Sequence, residues 1–234
     1  MGFFIIFFAS FGQTWFISIF NIEIRNFFNL SNGEFGFLYS LATILSSIIF
    51  IWFGKIIDWI DLRIYSLIIS LGLAFSCIAM FYLFNNIYIL FIIIFALRFF
   101  GQGAMSHAGT TTLSRYYDLH RGKAISFGSL GMPVAEMILP ITIVLLINLF
   151  SWRHAWLFSG LSILIFFVPL IFILLNNHKV RHKDFLKKNN NSFFEKKWKT
   201  KEILQDKKFY IYLPIYLTPS FVITGLIFHQ LFMQ

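Results

Sequence analysis

The chain has 234 residues, of which 58% are hydrophobic and only 12% charged, and its mean hydropathy is +0.76. A soluble domain carries about 25% charged residues, so this composition excludes a water-soluble fold and indicates a protein surrounded by lipid. The net charge of +9 would suggest nucleic acid as the partner of a soluble protein, but in a membrane protein it indicates cytoplasmic loops. We therefore expect the lipid bilayer, and no nucleic acid, as a partner.

Seven segments are apolar and close to the length of about 20 residues that a helix needs to cross a bilayer. They are residues 2–20, 35–53, 64–84, 87–112, 124–148, 154–175 and 209–232. Ser31 and Glu34 have the spacing of a capping box at the start of the second segment. The pattern predicts an all-α membrane protein, with a six-helix transmembrane bundle at 1–175, a basic linker at 176–208 and a seventh span at 209–234.

Basic residues are distributed unequally between the predicted loops. If the N-terminus is cytoplasmic, the outward loops contain only Arg25 and Arg153, and the inward loops contain nearly all the other Lys and Arg residues. Because these residues concentrate in cytoplasmic loops, the distribution predicts that the N-terminus and the 176–208 segment are cytoplasmic.

The loop between the second and third segments, "GKIIDWIDLR", places Gly54, Asp58, Asp61 and Arg63 at the spacing G-x-x-x-D-x-x-D-x-R. This spacing resembles the loop 2–3 signature of the major facilitator superfamily. The resemblance implies the N-terminal half of a 12-helix carrier plus the start of its second half. It also implies that Asp58 contacts a helix of that missing half as an inward gate. Asp61 replaces a signature glycine, and we expect a positive φ there because Asp tolerates one.

Arg98 lies about 18 Å into the fourth segment at 1.5 Å per residue, and it begins "RFFGQGAM", which resembles the span 4 motif of the same superfamily. A charge at this depth costs at least about 2.5 kcal/mol and must face the bundle interior or a cavity. We expect Arg98 to bind an anionic substrate or couple protons; the alternative is a structural arginine bonded to carbonyls. Glu136, the only acidic residue within a predicted span, is its candidate ion-pair partner.

Other polar residues near the predicted bilayer centre are candidates for the lining of a cavity. They are Gln13 and Thr14 in the first segment and Gln102 and His107 in the fourth. Arg115 and Arg121 flank the loop between the fourth and fifth segments, and they could bond Asp58 or Asp61 or anchor to headgroups.

Two stripes of small residues predict close packing of the fourth segment against the fifth. They are Gly101, Ala104 and Ala108, and Gly128, Gly131 and Ala135.

The first half of the chain also resembles bacterial members of the superfamily that are loosely akin to monocarboxylate and oxalate/formate carriers, through "GQTW" at residues 12–15 and the stretch at 21–43. The superfamily resemblance implies secondary active transport by alternating access. Together with Arg98 it leads us to expect a small organic anion such as a monocarboxylate as the substrate, with protons as one option for the coupling ion, in a bacterial inner membrane. An efflux carrier for lipophilic compounds and a non-transporting truncated membrane protein stay as alternatives. The sequence has no P-loop, G-x-S-x-G or H-E-x-x-H motif, so we expect no cofactor, metal site or enzymatic activity.

Overall fold

The computed structural model describes residues 1–116, 121–176, 202 and 205–229. These residues form helices joined by short turns, and no β-strand occurs among them. The prediction of an all-α membrane protein is therefore confirmed. The predicted basic linker at 176–208 lies almost entirely outside the described residues.

Six helical spans in the described part of the chain are long and apolar enough to cross a membrane. They are span 1, Gly2–Ile19; span 2, Asn32–Asp58; span 3, Leu62–Phe81; span 4, Ile87–Ser114; span 5, Gly122–Leu149; and span 6, Trp152–Leu174. Each coincides with a predicted segment to within a few residues. A further helix, Lys207–His229, covers the predicted seventh span up to residue 229.

Most of the spans consist of more than one helical piece. Besides Lys207–His229, the α-helices in the described part of the chain are Gly2–Ala9, Thr14–Ile19, Asn21–Phe28, Asn32–Phe53, Leu62–Phe81, Ile87–Leu97, Ser106–Tyr116, Arg121–Ser129, Gly131–Leu149, Trp152–Ser162 and Val168–Leu174. Short 3₁₀ segments occupy Ser10–Gly12 and Gly54–Asp58, and π-helical segments occupy Arg98–Met105 and Ile163–Phe167.

Side-chain caps fix where spans 2 and 3 begin. The backbone N–H of Glu34 donates to the Ser31 hydroxyl, and the Glu34 carboxylate accepts from the Ser31 N–H at 2.8 Å, so the predicted capping box is confirmed. Asp61 caps span 3 by accepting from the N–H of Arg63 at 2.8 Å. Its φ is −55°, so the expected positive φ is wrong. An N-cap has extended backbone and needs an acceptor side chain, which Asp supplies and Gly lacks.

Span 1 lies at the centre of the bundle. In its most apolar stretch 72% of the residues are buried, against 28% in span 2 and 22% in span 5. Span 1 packs against spans 4 and 5, span 4 also packs against spans 2 and 3, and span 6 packs against spans 3 and 5. The central position of span 1 makes its backbone accessible to side chains of span 4.

The small-residue stripes contact a different partner from the predicted one. Gly101 of span 4 lies against the backbone of Gly12, and Gly131 of span 5 lies against the backbone of Phe3. Gly128 does contact span 4, at Leu113. The stripes therefore serve mainly to seat span 1 between spans 4 and 5, and the prediction that they join these two spans directly is wrong at Gly101 and Gly131.

Candidate functional site

Span 1 is interrupted in its middle. The α-helix ends at Ala9, Ser10–Gly12 forms a 3₁₀ turn, and Gln13 is extended with φ −79° and ψ 155° before a new helix begins at Thr14. An interruption of this kind frees backbone carbonyls, which a membrane protein tolerates where they line a cavity or bond to neighbouring groups.

The break coincides with the closest approach of spans 1 and 4. A Cβ atom on Gly12 would collide with the carbonyl oxygen of Leu97 and lie 2.6 Å from the Cα of Gly101. A Cβ on Gly101 would lie 2.5 Å from the Cα of Gly12. The two glycines therefore let the backbones touch at this depth, as small residues do between membrane helices.

Arg98 occupies this crossing point. Only 3% of its surface is exposed. Its Nη1 donates to the freed carbonyl of Gly12 at 3.0 Å, and its Nε donates to the hydroxyl of Thr43 at 3.2 Å. The guanidinium also lies 5.2 Å from the ring centre of Tyr39, in the range of a cation–π contact. Arg98 thus joins the break in span 1 to span 2, and a π-helical segment starts at its own position in span 4. Such segments are frequent at functional sites.

Among the residues that the structure describes, no carboxylate balances the positive charge of Arg98. A guanidinium has five N–H donors, and within the described part of the chain two of them are used, leaving three for other acceptors. A buried charge without a counter-charge is costly, and a carboxylate would supply both the missing charge and the missing acceptors. The geometry therefore favours an anion beside this side chain.

The Arg98 side chain opens onto a cavity of about 390 Å³ between spans 2 and 4. Six of its ten lining residues have a hydroxyl or amide side chain. The lining residues are Thr43, Ser46, Ser47 and Phe50 of span 2 and Arg98, Gln102, Gly103, Ser106, His107 and Thr110 of span 4. No acidic side chain is among the residues that line this cavity.

The predicted candidates Gln102 and His107 both line the cavity. The Nε2 atom of His107 is 3.4 Å from the Thr111 hydroxyl, and the imidazole packs edge-on against Phe50 with ring centres 5.5 Å apart. His107 also lies near Gly54, whose added Cβ would be 3.9 Å from its Cε1. The imidazole therefore connects the cavity with the first residue of the loop 2–3 signature.

The predicted candidates Gln13 and Thr14 lie at the break rather than on the cavity wall. Gln13 donates from Nε2 to the hydroxyl of Ser106 at 3.2 Å, and the Tyr39 hydroxyl donates to Thr14 at 3.0 Å. Both side chains are buried. They connect the C-terminal end of the break to spans 4 and 2, so their role is to position the backbone that Arg98 contacts.

Glu136 is not the partner of Arg98. Its side chain is exposed on span 5, and the described contacts of Arg98 are with Gly12, Thr43 and Tyr39. The candidate ion pair is therefore absent. Span 5 turns Ala135 and Leu139 towards the bundle, which directs Glu136, one residue after Ala135, away from it.

The remaining predicted residues lie in the loops. Asp58 ends the 3₁₀ segment and is exposed, whereas Asp61 caps span 3. Arg63 places its guanidinium 4.7 Å from the ring centre of Phe172 in span 6. The side chains of Arg115 and Arg121 lie outside the described residues, so their expected bonds to Asp58 or Asp61 stay a prediction.

The site also contains residues that the sequence analysis did not single out. Tyr39, Thr43, Ser46 and Ser47 are the span 2 face of the site. Their positions follow a helical period, one turn apart on a span that otherwise consists mostly of apolar residues, and this signal could have indicated a polar face.

Comparisons with known proteins agree with this architecture. The sequence profile of the Major Facilitator Superfamily matches residues 2–234. Comparisons with curated proteins and with solved structures give no match.

Proposed function

Since the chain belongs to the Major Facilitator Superfamily, we propose that this membrane transporter carries a small organic anion by secondary active transport. The observation that carries the proposal is the buried guanidinium of Arg98, which keeps three N–H donors available and faces a cavity without a carboxylate in its lining. A carboxylate on the substrate completes this arrangement because it accepts two parallel N–H bonds from one guanidinium.

The proposed mechanism is alternating access, in which two helical halves rock around a site near the bilayer midplane. Spans 1, 2 and 4 supply this chain's share of the site, and a second half of the carrier closes it. We propose that Asp58 contacts that second half at the cytoplasmic side, with the N-terminus and the 176–208 segment cytoplasmic in a bacterial inner membrane. Glu136 is a candidate for proton coupling at a distance from Arg98.

The composition of the cavity weighs against the alternative of efflux of lipophilic compounds. Phe50 is the one large apolar side chain in the lining. A lipophilic solute would strip water from hydroxyl and amide groups without replacing their hydrogen bonds, which is unfavourable.

The test is uptake of radiolabelled lactate, oxalate and gluconate into proteoliposomes that contain the complete carrier, with both halves present. We expect Arg98→Ala to reduce uptake of the transported anion about 100-fold, since a hydrogen bond to a charged group contributes about 1.5–3 kcal/mol. Arg98→Lys keeps the positive charge but cannot donate two parallel hydrogen bonds to one carboxylate, so we expect an intermediate loss of uptake.

Arg153→Ala is the matched control. The Arg153 guanidinium packs on Phe27 and Trp152, at 4.6 Å and 5.2 Å from the ring centres, and is not among the residues that line the cavity. We expect this variant to transport like the parent. Parental transport by both Arg98 variants would overturn the role of Arg98 in anion binding.

A further inference from the structure

We infer that the substrate is a hydroxylated organic anion, such as a hydroxy acid or a sugar acid, and that the cavity wall beyond Arg98 binds its hydroxyl groups. This inference rests on the proposed function, because Arg98 is taken to hold the anionic end. It goes further by assigning a role to the side chains that Arg98 does not contact.

Most of the residues that line the cavity have polar side chains. Ligand pockets are mostly walled by hydrophobic and aromatic side chains with a few polar groups. Here six of the ten lining residues have a neutral hydroxyl or amide side chain: Thr43, Ser46, Ser47, Gln102, Ser106 and Thr110. The alkyl chain of a simple carboxylate makes no hydrogen bond to these side chains, whereas the hydroxyls of a polyol chain do.

Two of the hydroxyls can act only as acceptors towards a ligand. Ser47 donates its proton to the carbonyl of Thr43 at 2.9 Å, and Thr110 donates to the carbonyls of Ser106 and His107, each at 3.1 Å. A hydroxyl has one proton and two lone pairs, so these oxygens present lone pairs to the cavity. Lone pairs repel a carboxylate but accept a hydrogen bond from an alcohol.

Three further groups can donate as well. Ser106 accepts from Gln13 at 3.2 Å, which leaves its own proton available. No hydrogen bond within the described part of the chain engages the side chains of Ser46 and Gln102, and both reach the cavity. The wall thus combines acceptors with donors, which matches an alcohol that donates one bond and accepts two.

The volume of the cavity suits such a ligand. Its 390 Å³ lies within the range of about 300–1,000 Å³ that is typical of small-molecule sites. A sugar acid of about a dozen heavy atoms therefore fits between Arg98 and Thr110. It does not need the part of the site that the second half of the carrier supplies.

The test uses three probes with six carbon atoms each: gluconate, which has a carboxylate and hydroxyls; hexanoate, which has only the carboxylate; and sorbitol, which has only hydroxyls. Each is supplied in radiolabelled form to proteoliposomes containing the complete carrier, with both halves present. We expect gluconate uptake to exceed hexanoate uptake by at least about 100-fold, because a site built to bond hydroxyls strongly rejects analogues that lack them. We expect sorbitol to enter at background rates.

Substitutions in the cavity lining then test whether its hydroxyl groups cause the preference for gluconate. We expect Thr110→Val and Ser46→Ala each to raise the KM for gluconate about 3- to 10-fold, the range of one neutral hydrogen bond. Thr110→Ser keeps the hydroxyl and should behave like the parent. Thr142→Val is the matched control, because Thr142 also donates to carbonyls of its own helix, at 2.7 Å and 3.1 Å, but on span 5 away from the lining.

The outcomes separate the two proposals. If hexanoate enters as well as gluconate and Arg98→Ala abolishes both, the hydroxyl assignment is overturned and anion transport stands. Sorbitol entering as well as gluconate would overturn the anionic substrate and with it the proposed function. Background uptake of all three probes would overturn the hydroxyl assignment, and background uptake of lactate and oxalate as well would overturn the proposed function.

Discussion

Replacing Gly12 with Ala perturbs the point at which spans 1 and 4 touch. The new Cβ collides with the carbonyl oxygen of Leu97 and lies 2.6 Å from the Cα of Gly101. Both neighbours are backbone atoms, so no side-chain rotation can relieve the contact, and the two spans must separate. Overpacking of this kind costs about 1–3 kcal/mol, which corresponds to a fall in the melting midpoint of about 2–12 °C for a chain of this size.

Separation of the spans also moves the carbonyl that Arg98 contacts. The bond from Nη1 to Gly12 is 3.0 Å long, and a shift of several tenths of an ångström weakens it. We therefore expect Gly12→Ala to lower both the melting midpoint and anion uptake. Gly101→Ala acts on the same contact, so the double variant should lose less stability than the sum of the two single variants.

The assay is thermal unfolding of the purified chain in detergent, followed by uptake into proteoliposomes. Gly33→Ala is the control, because an added Cβ there meets nothing within 4 Å, and Ala is the better helix former. We expect Gly33→Ala to match or slightly exceed the parent in stability. A parental midpoint and parental uptake for Gly12→Ala would refute the argument that the two backbones touch at Gly12.

Three further predictions concern the acidic residues. Asp61→Ala should lower the stability by about 0.5–2 kcal/mol in thermal unfolding because it removes the cap of span 3, whereas Asp61→Asn, which can also cap, should not. Asp58→Asn should leave the melting midpoint unchanged but reduce uptake, and parental uptake would contradict its role as a gate. Glu136→Gln should make uptake insensitive to an imposed pH gradient; a gradient dependence like the parent's would place proton coupling elsewhere.

The sequence predicts the spans well because one local property defines them. A run of about 20 apolar residues is a nearly sufficient condition for a membrane helix, and the Ser31 capping box marks the start of span 2 from two side chains alone. The burial of Arg98 is also predictable from the sequence. A charged side chain at this depth in a membrane span must face the interior of the bundle, and Arg98 is buried there.

The partners of Arg98 could not be predicted, because they depend on which helices are neighbours. Electrostatics alone favoured Glu136, but span 5 turns that residue outward. The acceptor that Arg98 bonds instead is the backbone carbonyl of Gly12, and it is available only because span 1 unwinds there. The break occurs without a proline at the site, so the sequence gives only the Gly12–Gln13–Thr14 stretch as a weak local sign of it.

The backbone conformation of Asp61 could not be predicted from the sequence either. A residue that replaces a signature glycine suggests a left-handed backbone, yet Asp61 is extended and caps span 3. The same side chain is compatible with both roles, since Asp accepts from backbone N–H groups in turns and at N-caps alike. Only the position of the first helical residue, Leu62, decides between them.

The central claim is that Arg98 holds the anionic end of a substrate in the cavity between spans 2 and 4. The most direct measurement is an experimental structure of the full chain with 3-bromo-2-hydroxypropionate, a brominated hydroxy acid whose bromine is located by anomalous scattering. We expect the carboxylate within about 3 Å of the Arg98 Nη atoms and the bromine inside the cavity, and neither in an Arg98→Ala variant. Bromine located outside this cavity in the parent, or the same position in Arg98→Ala, would contradict the account.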